Sequence, residues 1–215
     1  MKIGFKYIVA CILCLAISAC SSTKNVSDKS VVKTSFSKSE IALIMQADSA
    51  IPMRVFKINS KSDSLLLRTR STSVKANPND LVLQNFVKRL YRTVRDSMSL
   101  GVGIAAPQVG ILKNIIWVQR FDKEEFPFEV YLNPKIIEYS EQKQTYTEGC
   151  LSIPNRSETL YNRSYSIEIE YDTMENIHKT ETVEGFTSVI FQHEIDHLNG
   201  ILYLDHLKKE VKDSE

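Results

Sequence analysis

The strongest hydrophobic periodicity in the chain lies between about residues 80 and 100. Apolar residues recur there at spacings of three, four and seven, which is the pattern of one buried helix face. The positions are Leu83, Phe86, Val87, Leu90, Val94 and Met98. Asp80 is a favourable N-cap residue and Gly101 a favourable stop. The pattern therefore predicts an amphipathic helix from about residue 80 to residue 100.

Two further helices are predicted, one on each side of this segment. Ser37 and Glu40 have capping-box spacing just before an apolar run, so a short helix is expected to begin there, and Pro52 would end it. Residues 183–199 form the last predicted helix, and Gly200 suits its C-terminal end.

The segment between the second and third predicted helices contains strand-like runs at 114–121, 130–134 and 165–172. In the last of these runs, Ile167 and Ile169 alternate with polar residues, which indicates one buried side and one solvent-facing side. Helices and strands are segregated along the chain and do not alternate as βαβ units. This order predicts the α+β fold class.

The first twenty residues have the pattern of an export signal. Lys2 and Lys6 precede an apolar run that ends in small residues before Cys20, and the run is shorter than the ~20 apolar residues that span a bilayer. The sequence Ile-Ser-Ala-Cys at 17–20 is similar to the lipobox of bacterial lipoproteins. It predicts a signal peptide at 1–19 and a lipidated Cys20.

Cleavage before Cys20 and lipidation of that residue would determine the domain organisation and the location of the mature protein. Residues 20–38 carry the lipidated cysteine and a Ser- and Lys-rich flexible tether, and residues 39–215 form the folded domain. The mature protein is expected to be exported and anchored in a membrane through the lipid on Cys20, on the periplasmic or outer-membrane side.

Composition and charge exclude one class of partner. The 215 residues are 43% hydrophobic and 25% charged, an ordinary globular composition. The whole chain has 27 Lys and Arg, and loss of Lys2 and Lys6 leaves 25 against 26 Asp and Glu. A chain so close to neutral has no electrostatic basis for nucleic-acid binding, so none is expected.

Processing would also remove Cys11 and Cys14, which leaves Cys20 and Cys150 in the mature chain. With lipid on Cys20, no disulfide can form within the chain. Cys150 is then a free thiol in an exported protein, and metal ligation is the explanation that its chemistry favours.

The stretch at 193–197 fits the pattern H-E-x-x-H. In a helix, His193 and His197 lie on one face and can reach a single ion, with Glu194 beside it as a candidate base. The metzincin peptidase pattern would place a third histidine at position 203, but that residue is Tyr203. Cys150 is the candidate third ligand, because one cysteine and two histidines would leave a coordination position open for water.

Three stretches together resemble the signature motifs of peptide deformylases. They are GVGIAAPQ at 101–108, EGCLS at 148–152 and QHEIDH at 192–197. They stand in the family's order, and the resemblance covers roughly residues 50–207. It implies a single, monomeric α+β domain in which strands surround a central helix carrying the H-E-x-x-H residues.

The resemblance also implies an activity, the removal of the N-formyl group from N-formylmethionyl peptides or proteins. Cys150, His193 and His197 would hold one divalent metal ion, commonly Fe(II) in the family, with Zn(II) also found. Hydroxide on the metal would attack the formyl carbon while Glu194 acts as general acid and base.

Further roles are implied for residues around the metal. The side-chain amide of Gln108 and the backbone N–H of Leu151 would stabilise the developing oxyanion. Asp196 would pair with a basic residue, for which Arg163 is the candidate. The residues expected to contact the substrate are Gly101, Val102, Gly103, Glu148, Gly149, Phe186, Val189 and Ile190.

Two other functions are alternatives to this interpretation. H-E-x-x-H also favours an exported metallopeptidase, although Tyr203 and an upstream cysteine ligand disfavour it. A lipoprotein that binds formylated peptides without turnover is the second alternative. Glu194 and Gln108 argue against it, because binding alone needs no general base.

Overall fold

The computed structural model describes residues 34–96 and 101–213. The elements in chain order are helices α1 (Lys38–Met45), α2 (Lys61–Leu67) and α3 (Leu81–Val94), strand β1 (Gly103–Ala105), a 3₁₀ turn (Ala106–Val109), strands β2 (Ile115–Gln119), β3 (Phe128–Tyr139), β4 (Lys143–Cys150), β5 (Ile153–Ser164), β6 (Ser166–Asp172) and β7 (His178–Glu184), and helices α4 (Gly185–Leu198) and α5 (Tyr203–Asp213). The predicted signal peptide and Cys20 lie outside the described residues. Within the described ranges, no helix combines the length and apolarity needed to span a bilayer.

Five strands form one antiparallel sheet in the order β1-β2-β3-β6-β7, and β4 and β5 form a separate antiparallel pair. Along β2, Ile115 packs in the cluster that contains the apolar residues of α3, whereas Ile116 and Val118 pack in the cluster that contains those of α4. Successive strand residues point to opposite faces of a sheet. Helices α3 and α4 therefore cover opposite faces, and the predicted α+β class is confirmed.

The predicted capping box at the start of α1 is confirmed. The Ser37 hydroxyl accepts the Glu40 N–H at 3.3 Å, and the Glu40 carboxylate accepts the Ser37 N–H at 2.8 Å. The helix ends at Met45, well before Pro52. Buried Arg89 of α3 donates to the Leu43 and Ile44 carbonyl oxygens in the last turn of α1, so these two groups are satisfied without further helix.

Ordered packing begins before α1. Phe36 is buried against Phe86 of α3, with ring centroids 5.8 Å apart. The Ser35 hydroxyl accepts the Lys75 N–H at 2.8 Å. Residues within the predicted tether thus already contribute to the core.

Helix α3 begins as the sequence predicts and ends earlier. The Asp80 carboxylate accepts the N–H groups of Val82 and Leu83 at 2.9 and 3.3 Å. The predicted extension of the helix through residues 95 and 96 is wrong, and residues 97–100 lie outside the described ranges. The Arg95 N–H bonds to the Tyr91 and Thr93 carbonyls and closes the last turn. The Gly101 N–H then donates to the Val94 carbonyl at 3.1 Å.

The end of α4 depends on Gly200, as the sequence predicts. Its φ is +74°, and the N–H groups of Gly200 and Ile201 donate to the carbonyls of His197 and Asp196 at 3.1 and 2.9 Å. This is a Schellman motif. A Cβ atom at Gly200 would overlap the backbone carbonyl of Arg68, so the position requires glycine for two reasons.

We expect Gly200→Ala to lower the free energy of unfolding by about 3 kcal/mol or more, because left-handed strain and a backbone clash act together. Gly185→Ala is the matched control. Gly185 also has a positive φ of +60°, but nothing lies within 4 Å of its Cβ position. Its replacement should cost only ~1 to 2 kcal/mol of strain. Equal losses for the two variants in urea unfolding would contradict the clash at Gly200.

Candidate active site and metal centre

Strand β4 and helix α4 bring three candidate metal ligands together. Cys150 ends β4, and His193 and His197 lie about one turn apart in α4. One ligand atom from each lies within 4.8 Å of the others, and the Cys150 Sγ is 3.2 Å from the His197 Nε2. A thiolate and two imidazoles fit a divalent transition metal and leave a coordination position open.

The surroundings of Cys150 favour the form of the side chain that binds metal. Burial acts to raise the pKa of the thiol, but the adjacent His197 and His193 hold that pKa well below its ordinary value. The Ser152 N–H also points at the Cys150 Sγ, at 3.4 Å. The thiolate is the ligating species, so the local charge is suited to a metal ion.

Glu194 lies beside this cluster and is 4% exposed. Its Oε2 atom is buried and has no hydrogen-bond partner among the residues that the structure describes. Burial raises the pKa of Glu194 to about 7, although the neighbouring histidines act to lower it. A carboxyl group with a pKa close to neutrality can both accept and return a proton.

Gly103 provides the space that the Glu194 carboxylate occupies. A Cβ atom at Gly103 would lie 2.5 Å from the Glu194 Oε1 and 2.8 Å from a methyl carbon of Ile190. Gly103 is one of the residues that the resemblance implies as substrate contacts. The structure adds a steric requirement from inside the protein.

We expect Gly103→Ala to displace the Glu194 carboxylate and to reduce turnover by ~10²-fold, the typical contribution of a positioned general acid or base. The nearest atoms to the new Cβ belong to Glu194 and Ile190 and not to the three metal ligands, so metal content should stay at the wild-type level. Turnover and elemental analysis of the same preparation check both statements. Full activity with an unshifted Glu194 would contradict the steric role of Gly103.

Gln108 is buried, and its amide has a defined orientation. The Oε1 atom accepts the Ala105 N–H at 2.8 Å, which directs the Nε2 atom toward Cys150 Sγ and Ser152 Oγ at 3.6 and 3.3 Å. The donor end of the amide therefore faces the metal ligands. Ser152, which the sequence analysis did not single out, stands two residues after Cys150 in the EGCLS motif.

A hydrogen-bonded network supports His193. Its Nδ1 atom lies 2.8 Å from the Glu148 carboxylate, which also accepts two bonds from Arg163 at 2.7 and 3.0 Å. Arg163 donates to Asp196 at 2.7 Å, so the predicted pair is confirmed. The same Asp196 oxygen lies 2.8 Å from the His206 Nε2. Second partners of this kind orient a metal-binding imidazole.

Glu148, an expected substrate contact, also bonds to side chains of the protein. Burial acts to raise the pKa of this carboxyl, but hydrogen bonds from His193 and Arg163 lower it to about 2. Glu148 borders the cavity, but its carboxylate oxygens are engaged by these two side chains. Its observed contacts are those of a residue that holds a metal ligand in place.

The cluster opens into a cavity of about 520 Å³. Every predicted catalytic, ligand or substrate-contact residue except His197 lines it: Gly101, Val102, Gly103, Gln108, Glu148, Gly149, Cys150, Leu151, Phe186, Val189, Ile190, His193 and Glu194. His197 is buried and does not line the cavity. Lys57 and Arg156 also border the cavity. No sequence motif distinguished these two cations from other surface charges.

A thiolate, two imidazoles and a buried carboxyl group at the end of an open cavity are typical of hydrolases that work through one divalent metal ion. Comparison with known proteins identifies one family within this class of hydrolases. A family model described as polypeptide deformylase matches residues 53–213. The peptide deformylase of Desulforudis audaxviator is 36% identical over 165 residues, which cover 76% of this chain and 100% of that protein.

Two further proteins agree with this match. The peptide deformylase of Leptospira biflexa is 35% identical over 148 residues, covering 65% of this chain and 82% of that protein. The Met-Ala-Ser-bound crystal structure of the class I type b peptide deformylase from Acinetobacter baumannii is 31% identical. It covers 73% of this chain and 99% of that one, with a TM-score of 0.63. The chain belongs to the polypeptide deformylase family and is a metal-dependent enzyme that removes N-formyl groups.

Proposed function

We propose that this enzyme hydrolyses the formamide bond of N-formylmethionyl peptides or proteins, with Cys150, His193 and His197 holding one divalent ion. The observation that carries the proposal is the unpartnered, buried Oε2 of Glu194 next to these three side chains. When bound, the ion supplies Lewis-acid polarisation and makes water a nucleophile near neutral pH. Helix α4 serves as the central helix of the fold. It packs on the five-stranded sheet, and its Gln192 side chain accepts a hydrogen bond from the Ser164 N–H at the end of β5.

Glu194 moves the proton in this proposal. Its carboxylate takes a proton from the attacking water as the water oxygen bonds to the formyl carbon. It then returns that proton to the nitrogen as the carbon–nitrogen bond breaks, which releases formate and a peptide with a free amino group. Burial of the carboxyl raises its pKa, which favours uptake of the proton from water.

Gln108 and Leu151 stabilise the oxyanion that forms on the former formyl oxygen. The Gln108 Nε2–H group already faces the ligands, because its Oε1 is bonded to the Ala105 N–H. The Leu151 N–H is the second proposed donor, directly after Cys150 in the chain. Fixed donors of this kind need no reorganisation during the reaction, and each contributes ~10²- to 10³-fold in rate.

The cavity receives the methionyl end of the substrate. Gly101, Gly103 and Gly149 line the part of the cavity where the peptide backbone lies along the main chain, while Val102, Phe186, Val189 and Ile190 contact the methionine side chain. The crystal structure of the Acinetobacter baumannii enzyme with Met-Ala-Ser, the deformylated form of such a peptide, supports this class of substrate.

Metal removal tests the proposed cofactor. The donor set suits Fe(II), which is typical of the family, and also Zn(II). Chelator treatment under anaerobic conditions should abolish formate release, and reloading with either ion should restore it in proportion to metal content. Full activity in metal-free protein would refute the proposed metal dependence.

We further propose that the protein is exported and carries lipid on Cys20, which would place the formyl-removing site outside the cytoplasm. The lipobox-like sequence at 17–20 supports this part of the proposal. In cells given radiolabelled fatty acid, the wild-type chain should become labelled and the Cys20→Ala variant should not. Label retained by the variant, or wild-type protein found only in the cytoplasmic fraction, would refute it.

A further inference from the structure

The apolar wall of the cavity contains one aromatic ring among aliphatic side chains. Val102, Val189 and Ile190 line the cavity with Phe186, and Phe186 is the one aromatic residue among its described lining residues. Phe186 stands in the first turn of α4, two positions after β7 ends at Glu184. It is therefore fixed to the same helix as the metal ligands His193 and His197.

Two other aromatic residues hold the Phe186 ring in place. Tyr146 of β4 stacks on it, with centroids 4.6 Å apart and planes 12° from parallel. Phe121, just beyond the end of β2, contacts it at 5.2 Å and 40°. The stacked Tyr146 ring covers one face of Phe186. The ring is thus braced from two separate elements, and little conformational freedom remains for a ligand to remove.

We propose that Phe186 makes the enzyme select the thioether of methionine over the methylene of its isostere norleucine, an inference that rests on the proposed function. A divalent sulfur gains from contact with an aromatic ring at about 5 Å, often at the ring edge, and a methylene group makes no equivalent contact. A braced ring offers that contact without an ordering cost. The range of such contacts corresponds to about two- to tenfold in kcat/KM.

The rest of the wall does not supply this selectivity. Dispersion contacts with Val102, Val189 and Ile190 depend on shape and apolar area, which methionine and norleucine share closely. A methylene group is also more hydrophobic than a thioether sulfur. A purely aliphatic pocket would therefore treat the two residues alike or favour norleucine.

The test compares formyl-Met-Ala-Ser with formyl-norleucyl-Ala-Ser on the metal-loaded enzyme and on Phe186→Leu. We expect the wild type to favour the methionine peptide two- to tenfold in kcat/KM, and Phe186→Leu to bring the ratio to about one or below. Because each ratio is taken within one protein, an overall loss of activity in the variant cancels. An unchanged ratio in Phe186→Leu, or a wild-type ratio of one or less, would overturn the inference.

A second test variant and a control variant complete the experiment. Tyr146→Leu removes the stacked ring and should lower the ratio even if Phe186→Leu does not fold. Phe128→Leu removes an aromatic ring that packs on Tyr91 in the cluster of α3, and its ratio should stay at the wild-type value. If the fully metal-loaded wild-type enzyme releases formate from neither peptide, the proposed function itself is refuted. Failure of the proposed function is therefore distinguishable from failure of the inference about Phe186.

Discussion

Glu194→Gln is expected to reduce formate release by a factor of about 10² to 10⁴ while leaving one metal ion per chain. The amide has the shape of the carboxylate but cannot take a proton from water or return one to the leaving amine. Glu194 is not among the three clustered ligands, so its replacement should not release the metal. Steady-state formate release and elemental analysis of the same sample measure both effects.

Glu184→Gln is the matched control for this experiment. Glu184 is exposed, precedes the first turn of the same helix and makes no side-chain capping bond. The same chemical change there should leave turnover near the wild-type rate. A Glu194→Gln enzyme that keeps more than about a tenth of wild-type turnover would remove Glu194 from the proton path.

Arg163→Met is expected to lower the free energy of unfolding by about 3 to 5 kcal/mol, because it leaves the carboxylates of Glu148 and Asp196 without their common partner in a buried site. Glu148 also holds His193, so we expect metal affinity to fall by about 10- to 100-fold. Urea unfolding and competition with a chelator measure these two quantities.

Arg156→Met provides the stability comparison on the same strand. Arg156 pairs with Glu158 at 2.7 Å, but half of its side-chain surface is exposed. An exposed pair of this kind contributes about 0 to 1 kcal/mol. Similar losses of stability in the two variants would show that burial of the Arg163 network has no special effect.

The elements predicted from the sequence are those whose signals are local. The capping box of Ser37 and Glu40, the N-cap Asp80 and the terminal Gly200 all act within a few residues, and each is found where it was predicted. Strand β6 was predicted from its alternation of apolar and polar residues, because one side of the strand is buried and the other is more exposed.

Strands β4, β5 and β7 and helix α2 were not predicted from the sequence, and each lacks such a local signal. Strand β7 reads HKTETVE and buries only Val183, so its stability comes from pairing with β6 and not from a hydrophobic period. Strands β4 and β5 are largely exposed and contain register shifts, which break an alternating pattern. Helix α2 is seven residues long, too short for a helical period to stand out.

The candidate site divides in the same way. The sequence predicted four residues of the site, because short motifs contain them: Cys150, His193, Glu194 and His197. The contact of Glu148 with His193 spans 45 residues, and the space that Gly103 leaves for Glu194 spans 91. Such relations depend on how strands and helices pack, and no local pattern in the chain records them.

The most direct measurement is the product analysis of formyl-Met-Ala-Ser treated with the metal-loaded enzyme. We expect formate and intact Met-Ala-Ser in equal amounts, since the water oxygen is added to the formyl carbon and the peptide bonds are untouched. Release of Ala-Ser or other fragments would indicate a metallopeptidase. Binding of the peptide to a fully metal-loaded site with no formate formed would contradict the assignment of Glu194 and the metal cluster as a deformylase active site.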